Sequence, residues 1–129
     1  NHCCPCLKTG ADVEALREWA CSGSTSVFLG TDNAPHTDAA KQSGKPGVFN
    51  VHSALSSVIA IFHEDDRMNR LEGFISTNGC EWYSKPLPTK KVKIYEDETR
   101  VPLKTKLAGG EEGEITPQRA GCLLAYRVG

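Results

Sequence analysis

The feature that most limits how this chain can fold is a short apolar run, Ser26-Val27-Phe28-Leu29-Gly30-Thr31, which breaks off at Asp32-Asn33-Ala34-Pro35-His36. A strand with one wet face alternates apolar and polar residues, so a run without alternation reads as a strand buried on both faces. Ahead of it, Ala11 to Ser22 places Val13, Leu16 and Ala20 at helical spacing, with Asp12 near the start and Gly23 just past the end. That is the pattern of an amphipathic helix of about three turns. A helix leading into a buried strand that ends in polar residues is the repeating unit of α/β proteins, in which ligands collect at the C-terminal ends of strands. Asp32 and His36 therefore stand where chemistry is usually done.

Residues 37 to 47 lack periodicity and read as a loop, the kind of segment that covers a site. From Asn50, a candidate cap, Leu55, Val58, Ile59 and Phe62 recur at i, i+3, i+4 and i+7, which predicts a helix. A second helix runs from Asp65 to Thr77 through Met68, Leu71, Phe74 and Ile75, with Asn78-Gly79 as its stop. Beyond Pro86 and Pro88 the alternation around Val92 and Ile94 suits an edge strand. Residues 104 to 114, rich in Gly, Lys and Glu, read as a solvated loop, and Cys122 to Val128 as a last strand.

Composition narrows the function classes. A net charge of -1 gives no electrostatic reason for a nucleic-acid or anionic-membrane partner. The longest apolar run, Val58 to Phe62, is too short to span a bilayer. The chain starts at Asn1 rather than Met, which suggests a processed or cleaved chain, and the six cysteines, three of them crowded at Cys3, Cys4 and Cys6, suit reduced thiols in the cytoplasm better than a disulfide framework. No glycine-rich phosphate loop and no serine nucleophile elbow is present.

Each candidate residue has a plain reading beside the chemical one. A carboxylate at the end of a buried strand must be solvated, paired or metal-bound, yet Asp32 could also cap the turn that follows it. His36, next to a proline in a turn, is equally at home as a surface residue or a ligand. The Cys3, Cys4 and Cys6 cluster lacks the paired spacing and the fourth ligand of a structural zinc site. His52 and His63 lie in the first turn and at the end of a helix; both read as ordinary helix residues, with the dipole favouring a cation at the position of His63.

The segment Gly30-Thr31-Asp32-Asn33-Ala34-Pro35-His36 closely resembles the dihydroorotase signature, which usually has serine where Asn33 stands. The resemblance extends through Pro5-Cys6-Leu7-Lys8, Gly47-Val48-Phe49-Asn50, Ala54-Leu55, Leu71-Glu72-Gly73-Phe74, Asn78-Gly79, Tyr83, Pro86 and Ala120-Gly121 to Val128, and is weakest from about 96 to 117. It implies the C-terminal part of a (β/α)8 TIM-type barrel, residues 1–95, with a small β extension over 96–129. It also implies an amidohydrolase that interconverts N-carbamoyl-L-aspartate and L-dihydroorotate in pyrimidine synthesis with two zinc ions. In that family plan Asp32 is a zinc ligand and the catalytic base, and His36 holds the substrate carboxylate. The backbones of Cys4 and Pro46 contact the substrate.

The resemblance also implies what this chain must borrow. The family holds zinc through a His-x-His pair, a carboxylated lysine and two further histidines earlier in the chain, whereas this sequence has His2, His36, His52 and His63 and no His-x-His. Most zinc ligands are therefore expected outside this chain, on an N-terminal portion of the same enzyme without which the segment would expose large apolar faces. A homodimer is compatible with the same plan. The competing readings are a non-catalytic dihydroorotase-like binding module and a related cyclic amidohydrolase, an allantoinase or hydantoinase.

Overall fold

Leu55, Val58, Ile59 and Phe62 line one side of a helix, and the computed structural model, which describes residues 3–4, 6–106 and 113–129, builds its main core on that stripe. The helix, α3, spans Ala54–Glu64 and buries Ile59 and Phe62 completely. Burial of side chains of this size stabilises by about 1.5–3 kcal/mol each. The N-cap of α3 is Ser53, not the expected Asn50, and no side chain caps the helix; the Asn50 carbonyl accepts from the N–H groups of Ser53 at 2.9 Å and Ala54 at 2.8 Å in the turn that leads into it. Cys21, Leu71 and Tyr126 complete the cluster, with Leu55, Val58, Phe74, Ile75 and Val128 packed around it.

Helix α1, Gly10–Ala20, begins in a reciprocal cap between Thr9 and Asp12, which satisfies two of the orphan donors of its first turn. Arg17 ties it to the end of α3, with Nε 2.8 Å and Nη2 2.5 Å from the Asp65 carboxylate and Nη2 2.9 Å from Glu64. No side chain of α1 is buried, and Val13, Leu16 and Trp19 face outward, about half exposed. A short helix, α2, spans Asp38–Gln42 inside the stretch expected to be loop, capped by the Thr37 side chain, which accepts from the Ala40 N–H.

Residues 26–31 do not form the expected strand. Among the described residues they join no ladder, and Leu29 instead donates its N–H to the carbonyl of Phe74 at 2.9 Å. A parallel barrel strand needs neighbours on both sides, and no parallel neighbour stands among the described residues. The partner it does have arises from the next helix. That helix is also not one continuous α-helix: α4, Met68–Glu72, passes into a π-helical turn, Gly73–Thr77, and then into α5, Asn78–Trp82. The Asn78 N–H reaches back to Gly73, one residue further than an α-helix allows, which leaves the Phe74 carbonyl for Leu29. Asn78-Gly79 is thus not a stop. Asn78 is buried because its side-chain amide donates to the carbonyls of Ser24 at 3.0 Å and Val27 at 2.8 Å.

The C-terminal region is a set of nested antiparallel pairs. Strand β1, Ile94–Tyr95, pairs with β6, Arg127–Val128; β2, Thr99–Arg100, with β5, Leu123–Leu124; and β3, Thr105–Lys106, with β4, Glu114–Ile115. The nesting makes one long, interrupted β-ribbon in place of a single strand over Cys122 to Val128. Part of the loop expected over 104–114 lies outside the described residues; its flanks are β3 and β4. Val101, Ile115 and Leu124 are buried along the ribbon. Tyr126 carries it onto α3, where Ser56 is buried because its hydroxyl donates to the Tyr126 carbonyl at 2.6 Å. The Tyr126 hydroxyl lies 2.7 Å from Nδ1 of His63, and burial pushes its pKa up.

Candidate active site

Past Leu29 the chain turns sharply, and Asp32 adopts a left-handed conformation with φ of 44°. Such a backbone is uncommon outside glycine, although aspartate and asparagine enter it more readily than most, and it persists only where surrounding contacts fix it. Here the contacts come from residues 48–50. The Asn50 side chain donates to the Thr31 carbonyl at 2.5 Å, the Asn33 side chain accepts from the Asn50 N–H at 3.0 Å, and the Ala34 N–H donates to the Val48 carbonyl at 2.9 Å. Asp32 is left exposed in this turn. The Asn50 side-chain oxygen is buried and has no hydrogen-bond partner among the described residues.

Four residues on from Asp32, the turn places His36 half-buried against Gly47. A methyl group at Gly47 would fall 2.6 Å from the Ala34 carbonyl oxygen and 2.9 Å from Cδ2 of His36, and φ there is 142°. Only glycine lets the two strands of this loop approach so closely. The amine of Lys41 donates to the Gly47 carbonyl at 2.7 Å and so holds the second strand in place. Beside His36 opens a cleft of about 440 Å³, whose walls include Asp38, Lys41, Val48, Lys104 and Thr116.

Asp32 and His36 thus share one braced loop, and Pro46, exposed next to Gly47, lies at its rim. Cys4 is exposed and no hydrogen bond ties it to that loop; the six cysteines are all unpaired. His52 packs its ring edge-on to Phe49 and lies 3.3 Å from the Thr105 hydroxyl, and His63 meets Tyr126, so both have structural partners. Among the described residues no group of three His, Cys, Asp or Glu converges on one point. A zinc site takes three or four protein ligands, so these residues alone do not make one. Sequence reasoning missed Asp38, whose carboxylate is held below its usual pKa by Lys104 and Thr116. No local signal marked it, because both partners lie more than sixty residues away.

The loop thus carries an exposed carboxylate, Asp32, and a histidine, His36, beside a cleft. The proteins it resembles are dihydroorotases. The dihydroorotase of Pseudoalteromonas atlantica is 40% identical over 123 residues, which cover 94% of this chain and 35% of that protein. The dihydroorotase of Salmonella paratyphi C is 40% identical over 129 residues, 98% of this chain and 36% of that protein. The structure of dihydroorotase in complex with 5-fluoroorotic acid from Saccharomyces cerevisiae superposes with a TM-score of 0.83 at 28% identity, over 99% of this chain and 36% of that one. The dihydroorotase structure from Campylobacter jejuni gives 0.82 at 29% identity, over 98% and 36%. No protein-family model matches the chain. By sequence and by fold the chain corresponds to the C-terminal part of the dihydroorotases, and it spans about a third of the length of the relatives it matches.

Proposed function

We propose that this chain supplies the C-terminal part of a zinc-dependent dihydroorotase, with residues 1–95 contributing the last strands and helices of a (β/α)8 barrel and 96–129 its β extension. The observation that carries this reading is the braced Gly30–His36 loop, which bears Asp32 on an exposed turn and sets His36 beside an open cleft. The yeast relative binds 5-fluoroorotic acid, a ring bearing a carboxylate, and His36 with the backbone at Pro46 and Cys4 would hold the equivalent carboxylate and ring here. Asp32 would take a proton from the water that attacks the ring amide and pass it to the departing nitrogen as the carbon–nitrogen bond breaks.

Zinc, when bound, supplies a water acidic enough to be deprotonated near neutral pH. Asp32 would give it one ligand and an N-terminal portion of the enzyme the rest. That portion would also cover Val13, Leu16 and Trp19, which α1 leaves in the open.

The test is complementation. Alone, the chain is expected to bind zinc poorly and to leave dihydroorotate intact; joined to a polypeptide bearing the His-x-His pair, it should gain both zinc and activity, and Asp32→Ala should remove the activity. Tight binding of two zinc ions by the isolated chain, or full activity of the Asp32→Ala enzyme, would sink the proposal. Orotate competing no better than other cyclic amides would point instead to an allantoinase or hydantoinase.

A further inference from the structure

His36 is followed at once by Thr37 and by α2, a helix of five residues. A helix this short has no stability of its own, so the position of His36 depends on whatever fastens α2. The fastenings come from the far end of the sequence. Oδ1 of Asp38 accepts from the Thr116 N–H at 3.1 Å and from the Thr116 hydroxyl at 2.8 Å, and Oδ2 accepts from the Lys104 amine, which also reaches the Thr116 hydroxyl at 2.8 Å. Gly113 lies so close to Thr37 that a methyl group on it would be 2.9 Å from Cγ2. The Gln118 N–H donates to the Phe49 carbonyl at 2.7 Å, on the opposite strand of the same loop.

We infer that Asp38 is a positioning residue for His36: through it the β-ribbon, at Lys104 and Thr116, locks the loop that presents the histidine. The inference rests on the reading of His36 as the group that holds the substrate carboxylate. An isolated surface ion pair would do little, but here three donors converge on one carboxylate whose side chain is about two-thirds covered. The lock acts on binding rather than on the chemical step, because His36 would grip a carboxylate that does not change during the reaction. Loss of such uniform binding raises KM and spares kcat.

The experiment uses the full protein that contains this segment, assayed with dihydroorotate, with folded active enzyme counted by its zinc content. Asp38→Ala should raise KM about tenfold and change kcat less than about twofold. Thr116→Val, which keeps the backbone donor, should shift KM the same way by a smaller factor. Asp38→Asn retains the oxygen that accepts from Thr116 and should stay within about threefold of wild type. If Asp38→Ala fails to fold, Thr116→Val carries the test. The lock is overturned if His36→Ala raises KM while Asp38→Ala and Thr116→Val do not, or if these two variants lose kcat with KM unmoved. A His36→Ala enzyme of unchanged KM overturns the role of His36 itself, and the lock with it.

Discussion

Gly47 shows how much of a site can depend on a missing side chain. Its φ of 142° and the 2.6 Å separation that a methyl group would have from the Ala34 oxygen leave no room for alanine. Gly47→Ala is therefore expected to destabilise by about 1–3 kcal/mol, read as a lower urea midpoint, and to disturb the ring of His36. Asp65 offers a test by pH. The Arg17 guanidinium holds its carboxyl below the usual value, against the opposing effect of burial. A carboxylate whose folded pKa is depressed contributes stability in full above its unfolded pKa and loses it as pH falls through the folded one. The stability gap between wild type and Asp65→Asn should thus be constant at neutral pH and narrow as pH drops through and below about 4, in urea midpoints taken from pH 7 to pH 3. A gap that stays constant to pH 3 contradicts the Arg17 assignment. That Asp32 and His36 share one loop was legible in the sequence because they fall in one seven-residue motif; the contacts of Asp38 were not, because Thr116 and Lys104 are remote and carry no pattern of their own.

Among the elements, α3 is the one that the sequence specifies most fully, since its apolar stripe is both periodic and buried. The stretch from 26 to 31 has equally strong apolar character, but strand formation depends on neighbours, and periodicity cannot say whether they are present. Asn78-Gly79 failed as a stop for a related reason: the dipeptide favours a helix end in isolation, whereas the carbonyls of Ser24 and Val27 give the Asn78 amide partners only inside the helix. Asn78→Ala strands both carbonyls and should cost about 2 kcal/mol, measured by denaturant titration, while Asn69→Ala, at an exposed position of α4, should cost almost nothing. Equal effects of the two would mean that the amide does not hold the segment.

For the molecule as a whole, the β-ribbon is more than an appendage. Tyr126 lies in the same buried cluster as Ile59 and Phe62, and its carbonyl takes the Ser56 hydroxyl. Tyr126→Ala should destabilise by about 3–5 kcal/mol and lower the midpoints of helix and tryptophan signals together, as a single cooperative unit requires; separate transitions would show that ribbon and helices melt independently. The π-helical turn has a different kind of consequence. It is a fault in helical phase, and a fault can be edited: deleting one residue between Gly73 and Thr77 would restore regular winding, reclaim the Phe74 carbonyl and swing Asn78 by about 100°. Leu29, three residues upstream of Asp32, would lose its partner, and Ser24 and Val27 would lose theirs in the same stroke. The spacing between α4 and α5 is therefore a count that insertions and deletions cannot change without shifting the loop that bears the carboxylate.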